Sequence, residues 1–344
     1  MKKLVFNTIK YLLFFAVGIL IFWLLYRKVE WQELVSAIKG LKYYWLFISI
    51  CLNMMAQLSR TLRWKMLIKP MGYNPSTSNI FLSVLVLYFV NLIVPRAGEV
   101  ARCTVVAKTD KVPFTKLVGT VFIERMADMI MLFILAIIIF TANLSIVTEF
   151  FNQHPALIEN LKKFTEPKYI VLVIAVIVFA VAGYFLLKGR LRKSSKKGKL
   201  VEIRDHFIDG IKSIARMEKK WLFIGHTAFI FLMWLIMLYV VFLAYEPTKD
   251  VTLRAGTVVF LMGGLAMIAP VQGGIGPWHF MVAETLILYG ISRNDGLIFA
   301  LIAHTTTNLI YIVLGGVALL ILVMKYGNKA LRFRPAEQNG SNSK

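Results

Sequence analysis

Long runs of apolar residues, almost free of Lys, Arg, Asp and Glu, recur from one end of this chain to the other. They cover Tyr11–Tyr26, Tyr44–Leu58, Ile80–Val94, Leu117–Phe140, Tyr169–Leu187, Trp221–Ala244, Thr257–Ala269, Phe280–Ile291 and Leu297–Met324. Runs of this length match a hydrocarbon slab about 30 Å thick. Within such a slab every backbone N–H and C=O must be satisfied inside the chain, and helices do that locally. The expected fold is therefore an all-α polytopic membrane protein. With 58% hydrophobic and 17% charged residues over 344 positions, a soluble enzyme, a disordered chain and a disulfide scaffold are excluded.

The charge balance fits the same class. Forty Lys and Arg against 18 Asp and Glu give +22. In a soluble protein that excess would point to nucleic acid; here it follows from basic cytoplasmic loops beside anionic lipid headgroups. Lys2, Lys3 and Lys10 precede the first run, and Arg27 and Lys28 follow it without a small-residue cleavage site. An uncleaved first helix is expected. Cys51 and Cys103 have no metal-ligand spacing.

Three runs are too short to cross. Ile80–Val94, Thr257–Ala269 and Phe280–Ile291 have 15, 13 and 12 residues, about 18–23 Å of helix. Each abuts a Pro/Gly break, as re-entrant or broken helices do at membrane depth. The stretch Lys188–Lys220 carries twelve Lys and Arg and is assigned to the cytoplasm. Topology then prefers a returning hairpin after Ile80 and places both termini inside. The expectation is about six full spans plus two re-entrant hairpins.

An internal repeat is also expected. Ile93-Val94-Pro95-Arg96-Ala97-Gly98-Glu99-Val100 aligns with Ile268-Ala269-Pro270-Val271-Gln272-Gly273-Gly274-Ile275. Amphipathic stretches with three- and four-residue apolar spacing, Val29–Lys42 and Lys199–Lys220, occupy matching places. With three full spans per half, the second half inverts relative to the first, as in many transporters. The expected organisation is one transmembrane domain, 1–326, with halves 1–145 and 165–326. A basic cytoplasmic loop lies at 188–220 and a disordered cytoplasmic tail at 327–344.

The chemistry-bearing residues are charges where charge is costly. The first break carries Arg96, Glu99 and Arg102, and the following run carries Glu124, Arg125 and Asp128. Each unpaired charge at the bilayer centre costs roughly 2.5–3.5 kcal/mol, so these groups must pair or line a wet cavity. Arg125 with Asp128, and Arg96 with Glu99, have spacings that allow pairing. Arginine forks fit phosphate and stay charged at any relevant pH, which points to an anionic headgroup. A purely structural staple between hairpin and neighbour is the competing reading. Arg60, Arg63 and Trp64 read as an interfacial anchor or a headgroup contact. Gly273, Gly274 and Gly276 allow close backbone approach, without a preceding strand that would make them a dinucleotide motif. His279 and Glu284 follow that break, and His304 and Asn308 share a helix face. No catalytic nucleophile–base pair, metal motif or cofactor motif is visible.

Leu62-Arg63-Trp64, Asn91 with Pro95-Arg96-x-Gly98-Glu99-x-x-Arg102, Glu124-Arg125-x-x-Asp128 and Pro270-x-x-Gly273-Gly274-Ile275-Gly276 together resemble the membrane region of lysylphosphatidylglycerol synthases, the multiple peptide resistance family. The resemblance covers about residues 5–325. It implies a flippase-like region that moves a lipid between leaflets, in a stand-alone form without the soluble synthase domain, so lysyl transfer is not expected. Gln272 and His279 stand where many relatives have Pro and Glu. The implied partner is a membrane lipid with a phosphate headgroup: an anionic phospholipid, an aminoacyl-phospholipid or a polyprenyl-phosphate-linked lipid. A separate synthase or glycosyltransferase and a homo-oligomer are further implied partners, and nucleic acid is not one. The implied location is the plasma (inner) membrane. Arg96 and Arg102 are expected to hold the phosphate, with Glu99, Glu124, Arg125, Asp128, Asn91, Arg63, Gly273, Gly274, Gly276 and His279 around it. An intramembrane lipid-modifying transferase, a secondary solute or ion transporter and a scaffold for a synthase remain as alternatives.

Overall fold

The computed structural model describes Ala16, Thr148 and Asn152 and residues 18–94, 96–145, 205–210, 212–269 and 271–327. The run at 169–187, the basic loop up to 204, the tail from 328, Pro95, Pro270 and most of the first half of the first run lie outside the described residues. The fold is all-helical, with no strand among the described residues. After a helical segment at 18–26, the order is α1 (Trp31–Lys39), α2 (Tyr43–Ile68), α3 (Thr77–Ile93), α4 (Gly98–Thr109), α5 (Phe114–Ala142), α6 (Lys220–Phe242), α7 (Leu253–Ala266), α8 (Pro277–Ile287) and α9 (Arg293–Tyr326).

By length and composition α5, α6 and α9 suffice to cross a bilayer. The pair Trp31–Lys39 and Tyr43–Met71 does so only together, bent by 80°. The chain thus has three to four apolar spans among its described residues. α1 is the amphipathic stretch expected before the second run. Its apolar Leu34 and Ala37 pack against the core cluster of Phe242, Phe299 and Val259.

α2 departs from the hydropathy reading. The apolar run ends at Leu58, but the helix continues ten residues further, to Ile68. The continuation carries Arg60, Arg63 and Trp64, all buried. These residues are therefore the interior of a helix and not an interfacial anchor. Their ion partners lie on other helices, and it is these partners that let the helix run on without exposing charge.

α3 and α4 pack against each other, as do α7 and α8. Gly98 makes the first pairing close. A Cβ there would lie 2.1 Å from the Leu87 carbonyl oxygen and 2.7 Å from Asn91 Oδ1. Asn91 Oδ1 accepts the Gly98 N–H at 2.8 Å, capping a donor at the start of α4 that has no helical partner. At the far end Asp110 accepts from the Ser76 N–H and Asn79 Nδ2, and Asn79 Nδ2 also donates to Tyr326 of α9. The two breaks then meet. Arg96, in the left-handed region at φ 62°, donates from Nη2 to the Ile268 carbonyl at 3.3 Å. A Cβ on Gly273 would lie 3.3 Å from Leu92 Cδ2.

α5 is held at both ends. Gly119 crosses Gly210 so tightly that a Cβ on Gly119 would stand 2.5 Å from the Phe207 carbonyl oxygen. Asp209 accepts from Lys116 at 3.0 Å beside that crossing. At the C-terminus Arg254 donates to Asn143 Oδ1 and to the Ala142 carbonyl at 2.7 and 2.6 Å. A cation there complements the partial negative charge of the helix end.

Candidate functional site

Seven ionised side chains from three helices form one connected network. α2 supplies Arg60 and Arg63, α4 supplies Glu99 and Arg102, and α5 supplies Glu124, Arg125 and Asp128. Glu124, fully buried, is the hub. Arg63 Nη2 and Arg102 Nη1 approach it to 3.0 Å, Arg125 Nη2 to 3.1 Å and Arg60 Nε to 3.7 Å. Asp128 takes Arg63 Nη1 at 2.7 Å and Arg125 Nη1 at 3.3 Å. Glu99 takes Arg102 Nε at 2.7 Å and Arg125 Nε at 3.3 Å.

The surroundings suit charges removed from water. Arg102 lies over the Trp64 ring at 4.5 Å, and Arg60 over Trp234 at 5.0 Å. Such cation–ring contacts gain strength when desolvated. Trp64 is itself fixed, its Nε1 donating to Thr120 Oγ1 at 2.9 Å. Arg63 Nη1 also donates to Thr227 Oγ1 of α6 at 2.9 Å.

Two properties of the network bear on function. Four guanidiniums face three carboxylates, leaving one positive charge in excess. Burial is also graded: Arg63, Arg102 and Glu124 are closed off, whereas the Arg125 side chain is 38% exposed and Glu99 26%. Arg125 is thus the most accessible cation of the network.

This geometry changes the expected roles. Arg102 is enclosed by Trp64, Glu99 and Glu124, so it braces the network instead of presenting itself. Arg96 does not pair with Glu99, whose oxygens are taken by Arg102 and Arg125; its own bond goes to the Ile268 carbonyl. Asn91 caps α4. Arg63 is bonded to both Glu124 and Asp128.

Gly273, Gly274, Gly276 and His279 belong to a second, uncharged cluster. All three glycines have positive φ, at 56°, 76° and 92°. His304 Nε2 donates to the Gly273 carbonyl at 2.7 Å, and the Gly276 N–H donates to His279 Nδ1 at 3.3 Å. The two imidazoles meet edge to face at 4.6 Å, with Trp278 stacked on His304 at 5.1 Å. Glu284 pairs with Arg293 at 2.7 Å, away from both clusters. Among the described residues no group of three His, Cys, Asp or Glu side chains is placed to hold a metal ion.

Arg60, expected as an interfacial anchor or a headgroup contact, instead joins a buried polar cluster with Asn53, Gln57, Tyr88 and Tyr311, none of which stood out as a candidate from sequence. Arg60 Nη1 donates to Tyr88 Oη at 2.6 Å, and the Tyr88 ring stacks on Tyr311 of α9 at 4.2 Å. Ser49, Asn53, Gln57, Arg60 and Arg63 are all buried along one face of α2. Their spacing of three and four residues was the available signal.

Comparison with known proteins settles the family. The model of the lysylphosphatidylglycerol synthase TM region matches residues 11–315. The chain belongs to that family. A UPF0104 membrane protein from Methanocaldococcus jannaschii is 22% identical over 305 residues, covering 83% of this chain and 87% of the relative. No solved structure matches. The ionic network lies inside the matched region of this membrane-protein family.

Proposed function

We propose that this chain moves the phosphate-bearing headgroup of an anionic lipid between leaflets of the plasma membrane, leaving the acyl tails in hydrocarbon. The observation that carries this reading is the buried network with one guanidinium in excess and Arg125 at its accessible edge. A headgroup cannot enter hydrocarbon unsolvated. A guanidinium fork replaces its water with two directed bonds of matching geometry. Arg125 holds three carboxylates at 3.1–3.3 Å, and an arriving phosphate exchanges with the outer two, Glu99 and Asp128. Arg63, Arg102 and Glu124 keep the remaining charges compensated during that exchange.

In this reading α3/α4 enters from the cytoplasm and α7/α8 from outside, related as inverted halves, with both chain termini cytoplasmic. Their breaks meet near mid-membrane, where Arg96 reaches the Ile268 carbonyl. The glycines of the second break give it the backbone freedom to move. Anionic phospholipids, aminoacyl-phospholipids and polyprenyl-phosphate lipids all offer the required phosphate.

The test is reconstitution into vesicles with labelled phosphatidylglycerol or polyprenyl phosphate. Arg125→Gln is expected to slow transfer at least tenfold. Equal transfer by both proteins removes the proposed role of the network.

A further inference from the structure

Beside the arginines lies a neutral polar cluster that the phosphate does not use. Gln57 Nε2 donates to Asn53 Oδ1 and to Tyr311 Oη, both at 2.9 Å, and Tyr311 Oη donates to Asn53 Oδ1 at 2.9 Å. Asn53 is 1% and Gln57 0% exposed. Yet Asn53 Nδ2 and Gln57 Oε1 have no hydrogen-bond partner among the described residues. Turning both amides over exchanges the atoms and again leaves one donor and one acceptor over. An unmet polar group of this kind is costly to bury, and there are two, one helical turn apart on α2. A hydroxyl group supplies both an acceptor and a donor, so it satisfies the pair. Gln57 precedes Arg60 by three residues, roughly 4.5 Å of helix rise. The Gln57 amide thus lies about one helical turn from an arginine of the network that receives the phosphate at Arg125. The stacked Tyr88 and Tyr311 rings stand between the two stations, Tyr88 bonded to Arg60 and Tyr311 bonded to the amides.

We propose that Asn53 and Gln57, with Tyr311, form a second binding station for the hydroxyl-bearing part of the headgroup whose phosphate the arginines hold. The inference rests on the lipid-translocation reading and narrows it. The substrate is a phosphodiester lipid carrying free hydroxyls, as a glycerol or sugar headgroup does, and a bare phosphate ester is a poorer ligand.

The purified full-length protein, titrated with dioctanoyl phosphatidylglycerol and dioctanoyl phosphatidylmethanol, tests this by native mass spectrometry. The two probes carry the same charge and differ in headgroup hydroxyls. Wild type is expected to prefer phosphatidylglycerol. The double variant Asn53→Leu/Gln57→Leu is expected to lose about tenfold in affinity for phosphatidylglycerol while binding phosphatidylmethanol within twofold of wild type. Tyr311→Phe, which keeps the ring stack and removes one hydroxyl, is expected to lose about threefold on phosphatidylglycerol alone. Arg125→Gln is expected to weaken both probes equally. An unchanged ratio between the probes in both amide and tyrosine variants overturns the second station. Unchanged binding of both probes by Arg125→Gln overturns the phosphate reading instead, and a ratio still altered by Asn53→Leu/Gln57→Leu would then leave the hydroxyl station standing.

Discussion

The two chain breaks that meet inside this protein are built from opposite materials. The break between α3 and α4 is bounded by Arg96, Glu99 and Arg102 and is braced by charge against α2 and α5. The break between α7 and α8 contains no ionised group and is held by imidazole, indole and backbone carbonyl contacts. The first depends on neutralisation, which fails abruptly when one partner is lost. The second depends on shape and on a few neutral hydrogen bonds, each worth about 0.5–1.5 kcal/mol. Only the first holds carboxylates against arginines, the arrangement that the proposed exchange with a lipid phosphate requires.

The sharpest way to break that contrast is Glu124→Ala. Four guanidiniums lose their shared carboxylate. Destabilisation of about 3–5 kcal/mol is expected, read as a collapse of the thermal unfolding midpoint in detergent. A midpoint within a degree or two of wild type would show that the network is not structural.

Next are the glycines of each break. Gly98→Ala drives a Cβ to within 2.1 Å of a backbone oxygen, and a shift of α4 away from α3 is expected, with a loss of about 2–4 kcal/mol. Gly273→Ala meets only the flexible end of Leu92 at 3.3 Å, at φ 56°. A loss of about 1–2 kcal/mol is expected there. Equal losses at the two positions would erase the distinction between a rigid and a compliant break.

His304→Ala removes the donor to the Gly273 carbonyl, and a loss of about 1–3 kcal/mol is expected. Its effect should be independent of Arg125→Gln, and a double-mutant cycle measures this. A coupling above about 0.5 kcal/mol would join the two clusters into one unit.

The smallest effect is expected outside the membrane. Lys116 and Arg216 bond to Asp209 and hold its carboxyl below the usual carboxylate range. A lowered folded-state pKa adds stability above the unfolded value, lost as pH falls through the folded one. Asp209→Asn should therefore cost about 0.2–1 kcal/mol at neutral pH. Its difference from wild type should vanish in acid, as followed by thermal unfolding at stepped pH.

Much of this arrangement was legible from the residues alone, because ionisable groups inside apolar runs have few affordable alternatives. Glu124, Arg125 and Asp128 stand out on that ground, Glu99 and Arg102 stand in the Pro/Gly break before them, and the structure joins all five. What hydropathy concealed was α2. Polar residues lowered the local average and ended the apolar run at Leu58, although Asn53, Gln57, Arg60 and Arg63 recur at helical spacing and mark a buried face. Partner choice was also hidden. Spacing put Arg96 beside Glu99, whereas the left-handed backbone at Arg96 aims its side chain toward the second break. His279 shares a motif with the glycines but no surface with the carboxylates, a separation that only tertiary packing decides.

The anchoring of α5 has a consequence for how the charges keep their register. One flank of this helix presents bare apolar side chains outward, among them Met129, Ile130 and Phe133, while Ile139 on another packs with Val258 and Leu261 of α7. The helix behaves as a beam clamped near each end, by the Gly119–Gly210 crossing and by Arg254 at Asn143, with Glu124 and Asp128 between the clamps. Loosening either clamp is expected to let both carboxylates shift together relative to the arginines of α2 and α4, so residues more than a turn away from the network set the tolerance to which its charges are aligned.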